Sequence, residues 1–205
     1  MDKYLQACRT EFWHEVFRVE LEYLVRHLEG SRDVLSVGCG PAIIEAGLAE
    51  RGFRVTGLDV SQEALHRAPD RVRTVVARAE NMPFLEFSFD AVISVASLQF
   101  IEDYGKAIEE TTRVLRPEGK LIVMLLNPES DFFRGKLHDP NSYVRRIRHT
   151  DLREIEDAIA TNYSVQTEYL LGVKGDSLFE SRDATNAVLR VVRGTKKQPK
   201  KDKDA

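Results

Sequence analysis

Strand-like and helix-like segments alternate along the chain between residues 33 and 126, and this alternation restricts the fold more than any other feature. Five short apolar runs, each typical of a buried strand, are separated by segments whose apolar residues recur at helical spacing. The expected strands are 33–37, 54–60, 71–77, 90–96 and 120–126. Because alternating strands and helices pack as a mostly parallel sheet with helices on both faces, the pattern predicts an α/β fold.

Helical patterns precede, interrupt and follow these strands. In the first thirty residues, Phe17, Leu21, Leu24 and Leu28 share one helical face, and Gly30 is a suitable stop. Further helices are expected at 43–51, 61–68, 103–115 and 151–160, the last capped by Thr150 or Asp151. Two β-rich segments, 163–173 and 186–194, then lie close enough in sequence to pair antiparallel.

Composition excludes several classes of protein. A hydrophobic share of 42% and a charged share of 31% over 205 residues describe one globular domain. The formal net charge of −3 creates no field that attracts nucleic acid or membranes, and Cys8 and Cys39 suggest no disulfide framework. No apolar run approaches the ~20 residues of a membrane helix, and no signal-peptide pattern opens the chain. We therefore expect a cytoplasmic protein.

The segment VLSVGCGPA, residues 34–42, is the best candidate for a ligand-binding loop. Glycines between a strand and a helix let ligand atoms approach the backbone, and the helix then offers unpaired N–H groups. Asp59, twenty-one residues after Gly38, ends the next strand, where an acid can bind both hydroxyls of a ribose. A dinucleotide loop needs a third glycine where this chain has Ile43, so an adenosyl ligand without a pyrophosphate is favoured over nicotinamide or flavin. An ordinary glycine turn with a capping aspartate remains an alternative reading of these residues.

Five ordered motifs give the chain its family resemblance: VLSVGCGPA, VTGLDVS, ARAENMPF, FDAVISVASLQFIED and RVLRPEGKLIV. Through them, residues 34–127 resemble class I S-adenosylmethionine-dependent methyltransferases, particularly the small "type 11" group. The resemblance implies a Rossmann-like, doubly wound, mostly parallel sheet of seven strands with an antiparallel last strand. It also implies a helical cap over 1–30 and a lid-like insertion over 128–150. Chain length favours one domain, which we place over residues 1–195, and the lack of apolar residues over 196–205 predicts a mobile charged tail.

The resemblance also implies a set of cofactor contacts. Gly38 and Gly40 would pass the methionyl part of the cofactor over bare backbone, and Asp59 would bind the ribose hydroxyls. The remaining implied contacts are Val60 and Met82 on the two faces of the adenine, the backbone of Ala79 at its edge, and Ser94 and Val95 beneath the amino group. Core packing is the competing interpretation for Met82.

Two positions depart from the family pattern. Ser36 stands where relatives carry an acid that helps to hold the cofactor ammonium, and Arg78 stands where an acid often accepts from the adenine amino group. Each lost charge-assisted hydrogen bond would weaken binding about ten- to a hundredfold. Glu80, two residues after Arg78, and the hydroxyl of Ser36 are the candidates to compensate, while Ala42 in place of the third glycine is a milder change.

Methyl transfer from a sulfonium is an in-line displacement that requires alignment and exclusion of water rather than a catalytic triad. The pocket candidates are Tyr4, Trp13, Gln99, His138 and Tyr143. Gln99 stands where many relatives carry a histidine, so a base there is in doubt, and helix packing or a surface position are the competing interpretations for Tyr4, Trp13 and His138. The basic run at 145–149 suits an anionic substrate or nucleic acid, but we interpret it as solvent-facing.

We therefore predict an S-adenosylmethionine-dependent methyltransferase that acts on a small-molecule acceptor and releases S-adenosylhomocysteine, with no metal, membrane or nucleic-acid partner. The main alternative is a non-catalytic module that binds S-adenosylmethionine or S-adenosylhomocysteine. A nicotinamide-dependent reductase ranks third, because Ile43 opposes it.

Overall fold

The computed structural model describes residues 10–198. Their strands form one eight-stranded sheet in the order β3-β2-β1-β4-β5-β8-β6-β7. The strands are β1 Asp33–Val37, β2 Arg54–Asp59, β3 Arg73–Val76, β4 Phe89–Val95, β5 Leu115–Leu126, β6 Tyr163–Lys174, β7 Ser177–Phe179 and β8 Ala187–Lys196. Strands β1 to β5 pair in parallel, while β8 runs antiparallel to both of its neighbours, β5 and β6. The strand order reverses between β1 and β4, and in such sheets ligands bind beyond the carboxyl ends of the strands at that point.

The predicted Rossmann-like fold is confirmed, with three differences at its edges. The sheet has eight strands rather than seven, because the three-residue β7 adds an antiparallel edge strand. Strand β5 begins at Leu115, where we expected residue 120. Strand β8 includes Lys196, which we had placed in the tail, and its Nζ donates to the carbonyls of Thr112 and Leu115 at 2.5 and 2.7 Å.

Among the described residues, five helices lie where the apolar periodicity predicts them, although the helix expected at 61–68 spans only four residues. The helix Asp131–Leu137 forms inside the insertion, where no helix was predicted. The helices are α1 Glu11–His27, α2 Ile43–Glu50, α3 Gln62–Leu65, α4 Tyr104–Val114, α5 Asp131–Leu137 and α6 Leu152–Asn162, with short 3-10 turns at Leu98–Phe100 and Tyr143–Arg146. Side chains cap most of their first turns, as the Ser61 hydroxyl and the Asp151 carboxylate do by accepting backbone N–H groups.

Strand β5 shows how the sheet is buried on both faces. Leu121, Val123 and Leu125 join the apolar cluster on one side of the sheet, with residues of α4 and α6. The alternate residues Ile122, Met124 and Leu126 join the cluster on the other side, with α1 and α2. Successive strand residues point to opposite faces, so a strand covered on both sides reads as a continuous apolar run.

Within residues 10–198, no helix combines the length and the apolar character needed to cross a membrane.

Candidate functional site

Two cavities open at the carboxyl ends of the central strands and meet at shared residues. The first, of about 440 Å³, lies beside Asp59, Val60 and Ala79, and the second, of about 760 Å³, lies beneath α1 and α5. Gly38, Ala96 and Phe100 line both. The glycine loop after β1 therefore lies at the junction of the two cavities, as expected for a ligand that extends into both.

Asp59 joins the ends of β1 and β2. Its Oδ2 accepts the backbone N–H of Gly40 and its Oδ1 accepts that of Ser61, both at 2.8 Å. The carboxylate therefore fixes the glycine loop while remaining half-buried at the wall of the first cavity. Each carboxylate oxygen has a second lone pair, which leaves capacity to accept hydroxyl groups of a ligand.

The loop glycines adopt backbone conformations that suit them to different tasks. Gly38 has a φ of 74°, and a Cβ there would lie 2.4 Å from the Cβ of Ser97, so glycine is required for packing. Gly40 has a φ of 54°, but a Cβ there would meet nothing within 4 Å and would point into open space. Ala42, in place of the third glycine, also adopts a left-handed φ of 58°, which a methyl group tolerates at some cost.

An acidic side chain contacts Ser36 at the wall of the larger cavity. The Ser36 hydroxyl donates to Oε1 of Glu45, on the first turn of α2, at 2.5 Å, and both residues are buried. Burial raises the pKa of Glu45 to about 7, although the Ser36 hydrogen bond lowers it. The strand has no acid at residue 36, but the carboxyl group of Glu45, nine residues later in the chain, contacts the side chain at that position.

A second buried acid, Glu20 on α1, lines the larger cavity together with Glu45. Only 5% of Glu20 is exposed, and burial followed by the charge of Glu45 raises its pKa to about 8. Among residues 10–198, none donates a hydrogen bond to this carboxyl group.

The far end of the first cavity contains the second departure from the family pattern. Arg78 is exposed, and its Nη2 pairs with Oε1 of Glu80 at 2.7 Å. Both residues line the cavity with Ala79 and with Val60, which is 65% exposed. Met82 lies elsewhere: it is 3% exposed in the core cluster, does not line this cavity, and its N–H donates to Glu110 at 2.8 Å.

The structure separates the predicted acceptor-pocket residues. Trp13 and Tyr143 line the larger cavity, whereas His138 is an exposed residue at the end of α5 and lines neither. Gln99 is fully buried and lines neither cavity, because its amide exchanges hydrogen bonds with the backbone of Leu126 and donates to His149. Tyr4 lies outside the described residues.

The residues predicted beneath the cofactor amino group also differ from each other. Val95 lines the larger cavity, while the buried Ser94 shares a hydrogen bond of 2.7 Å with Ser97. The basic run expected to face solvent contributes Arg146 to the larger cavity and Arg148 to the smaller one, and both side chains are exposed. No cluster of three or more metal-ligating side chains occurs in the described part of the chain.

Sequence reasoning missed Glu20, Glu45 and Ser97. A signal existed for Glu20, because it lies on the same helical face as the buried Val16 and Leu24, four residues from each. Glu45 likewise interrupts the otherwise apolar start of IIEAGLA. A carboxylate at a core-facing position is rare unless it is paired or takes part in binding or catalysis.

Comparison with known proteins bears on the same region. Residues 35–123 match the family model described as "Methyltransferase domain". An uncharacterized protein of Methanocaldococcus jannaschii is 32% identical over 126 residues, covering 60% of this chain and 58% of that protein. A ubiquinone biosynthesis O-methyltransferase of Alkalilimnicola ehrlichii is 33% identical over 132 residues, covering 58% and 53%. The chain thus spans little more than half the length of these relatives.

A solved structure from Thermotoga maritima extends the similarity to nearly the whole fold. That protein, described as an S-adenosylmethionine-dependent methyltransferase and possible histamine N-methyltransferase, superposes with a TM-score of 0.78. The match covers 96% of this chain and 95% of the other, at 22% identity, and therefore shows a shared fold.

Proposed function

We propose that this chain is a class I, S-adenosylmethionine-dependent methyltransferase that transfers methyl groups to a small-molecule acceptor, since residues 35–123 match a methyltransferase-domain model. The observation that supports this most directly is the junction of the two cavities at Gly38, Ala96 and Phe100. A cofactor with its adenosyl part in the first cavity and its methionyl part along the glycine loop of the second would present its methyl group to an acceptor beneath α1.

The residues around the junction of the two cavities fit the cofactor of class I methyltransferases, with Asp59 on the side of the first cavity and Gly40 on the side of the second. Asp59 would accept the ribose hydroxyls with the lone pairs that Gly40 and Ser61 leave free. The open space beside Gly40, which a Cβ would fill, is the kind of cradle that a ligand against bare backbone requires. When bound, S-adenosylmethionine supplies a methyl group on a good leaving group.

Glu45 would take the place of the missing acid at Ser36. Its carboxyl group lies 2.5 Å from the Ser36 hydroxyl and lines the cavity on the side of Gly38 and Gly40. A cofactor ammonium in that position would favour the ionised carboxylate, because an opposite charge lowers the pKa that burial has raised. We therefore place the acid on α2 rather than on β1.

The adenine would lie at the opposite end of the first cavity. Val60 offers an exposed apolar surface there, and the backbone of Ala79 offers polar atoms at the ring edge. Glu80, with 15% of its side chain exposed, is the carboxylate nearest in sequence to replace the acid absent at Arg78. Because Met82 lines neither cavity, any contact with the adenine would require this loop to move.

A small molecule suits the second cavity. Its volume of about 760 Å³ is within the range of small-ligand pockets, which is roughly 300–1,000 Å³. Aromatic side chains close it from above: Phe12 of α1 stacks on Phe132 of α5 at 6.4 Å, and Trp13 contacts Phe12 and Phe17. We assign α1 as the cap and residues 128–150 as the lid of this pocket, which would exclude water from the transfer.

One relative is named a ubiquinone biosynthesis O-methyltransferase and another a malonyl-[acyl-carrier protein] O-methyltransferase, so the relatives' names point to no single class of acceptor. We propose the cytoplasm as the site of action and no nucleic-acid substrate, in keeping with the formal net charge of −3.

Isothermal titration with S-adenosylmethionine and, separately, S-adenosylhomocysteine tests the cofactor site. We expect micromolar binding of both by the wild-type protein, followed by release of S-adenosylhomocysteine when an acceptor is supplied. Binding without turnover across an acceptor panel would favour the non-catalytic module. Absence of binding by both ligands would overturn the proposed function.

A further inference from the structure

The larger cavity has acidic side chains at depth and side chains of both charges at its mouth. The charged groups that line it are Glu20, Glu45, Lys136, Asp139 and Arg146. The two glutamates are 5% and 3% exposed, whereas Asp139 and Arg146 are exposed and Lys136 is half-exposed. Asp139 and Arg146 occupy exposed positions of the lid, so among the described residues that line this cavity the buried titratable groups are the carboxyl groups on α1 and α2.

Glu20 and Glu45 differ in their hydrogen bonding. Glu45 already receives the Ser36 hydroxyl at the glycine loop, whereas none of the described residues donates a hydrogen bond to Glu20. A carboxyl group without a hydrogen-bond partner is expensive to bury whether it is neutral or ionised, and an apolar residue of similar shape would occupy this position at lower cost. A carboxyl group retained there therefore points to a partner that enters from the cavity.

The same helix presents the aromatic side chains that would surround such a partner. Phe12, Trp13 and Phe17 of α1 line the cavity, and Phe100, Phe132 and Tyr143 complete it from other elements. Aromatic faces together with a carboxylate attract organic cations, since the ring quadrupoles are negative at their faces. A neutral acceptor would offer Glu20 a hydrogen bond without an opposite charge, and an anionic acceptor would oppose its ionised form.

We propose that the methyl acceptor is a primary or secondary amine on an apolar body, and that Glu20 is the carboxylate that binds its ammonium and accepts its proton. This inference rests on the proposed function. One N–H bond of the ammonium breaks, the proton stays on an oxygen of Glu20, and the electron pair left on nitrogen becomes the nucleophile that methyl transfer requires. No other proton acceptor is needed.

The acid strength of Glu20 suits this task. Burial and the charge of Glu45 raise its pKa to about 8, which brings it closer to that of an alkylammonium group than an exposed glutamate would be. The free protein therefore holds a proton on Glu20 at neutral pH, and an ammonium that binds there displaces it. Binding should release about one proton per amine at neutral pH.

The test uses the full chain saturated with S-adenosylhomocysteine, titrated with phenethylamine, tryptamine and cyclohexylmethylamine, each against its matched alcohol. We expect at least one amine to bind about tenfold or more tightly than its alcohol, with proton release measured in two buffers of different ionisation enthalpy. Glu20→Gln should abolish both the preference and the proton release while S-adenosylhomocysteine affinity stays within about threefold. Glu22→Gln, at an exposed position of the same helix, is the matched control and should behave as wild type.

The outcomes separate the two proposals. Failure of S-adenosylhomocysteine to bind overturns the proposed function, and the acceptor inference falls with it. Cofactor binding without any preference for amines over alcohols, or a preference that survives in Glu20→Gln, overturns the acceptor inference alone.

Discussion

The carboxylate of Asp59 accepts the backbone N–H of Gly40 at 2.8 Å, so the acid at the end of β2 determines the position of the glycine loop after β1. Its other oxygen accepts the N–H of Ser61 and holds the start of α3. The residue assigned to the ribose is thus also the residue that shapes the loop against which the cofactor would lie. A change at Asp59 acts on both.

Replacing Asp59 by alanine should therefore remove cofactor binding and also cost stability. Two backbone N–H groups lose their acceptor, which we expect to destabilise the protein by about 1–2 kcal/mol. Titration calorimetry should show at least about a hundredfold weaker S-adenosylhomocysteine binding. Asp70→Ala, at an exposed position, controls for loss of one negative charge. Unchanged affinity in Asp59→Ala would contradict the assignment of the ribose site.

Gly40 and Gly52 form a matched pair for testing the cradle. Both have positive φ values, 54° and 90°, and an added Cβ would meet nothing within 4 Å at either position. Alanine at each should cost about 1–2 kcal/mol from the left-handed conformation. Only Gly40→Ala should abolish S-adenosylhomocysteine binding, because of these two glycines Gly40 alone lines the larger cavity, beside the glycine loop. Similar S-adenosylhomocysteine affinities in the two variants, measured at a temperature where both are fully folded, would exclude a ligand that lies against the backbone of Gly40.

The sequence predicted the parts of the structure that depend on local patterns. Strand β1 matches its predicted bounds, since an apolar run is followed directly by a glycine turn. The three-residue β7 escaped prediction because it is too short to show a periodicity, and its pairing with β6 is a property of the sheet edge.

The site was harder to predict, because its contacts join distant segments. The bond between Ser36 and Glu45 requires α2 to fold back over β1, and Glu20 reaches the same cavity from α1. Gln99 was predicted for the pocket from its place after β4, but its amide satisfies the backbone at Leu126 instead. Whether a polar side chain faces a cavity or the backbone depends on tertiary packing, which periodicity does not encode.

Glu45→Gln should weaken cofactor binding, because the ammonium would lose its charged acceptor. A charge-assisted hydrogen bond of about 1.5–3 kcal/mol corresponds to about a ten- to hundredfold loss of affinity. In the wild type, affinity should rise with pH through about 7 as Glu45 ionises, with Asp59 and Glu20 as the neighbouring acids, and this rise should be reduced in the variant. Glu50→Gln, on the exposed end of the same helix, is the control.

Returning the acid to the strand provides the reverse test. The double variant Ser36→Asp with Glu45→Ser moves the carboxyl group from α2 to β1 and leaves a hydroxyl group on α2. We expect affinity within about tenfold of wild type, measured by titration calorimetry. Recovery no better than that of Glu45→Gln would show that Glu45 does not replace the family acid.

Burial of Glu20 should make the stability of the protein depend on pH. Its native pKa of about 8 lies above the ordinary value of 4.5, so the folded state holds a proton that the unfolded chain releases as pH rises. The contribution of Glu20 to the free energy of unfolding is fully present below about pH 4.5 and is lost as pH rises through about 8. Because one pKa unit corresponds to about 1.4 kcal/mol, the loss amounts to a few kcal/mol. Urea unfolding of wild type, Glu20→Gln and Glu22→Gln at about pH 5 and about pH 9 measures it. Glu20→Gln should match wild type at the lower pH and exceed it at the higher one, while Glu22→Gln follows wild type at both. If Glu20→Gln changed the free energy of unfolding equally at both pH values, Glu20 would ionise in the folded protein as easily as in the unfolded chain.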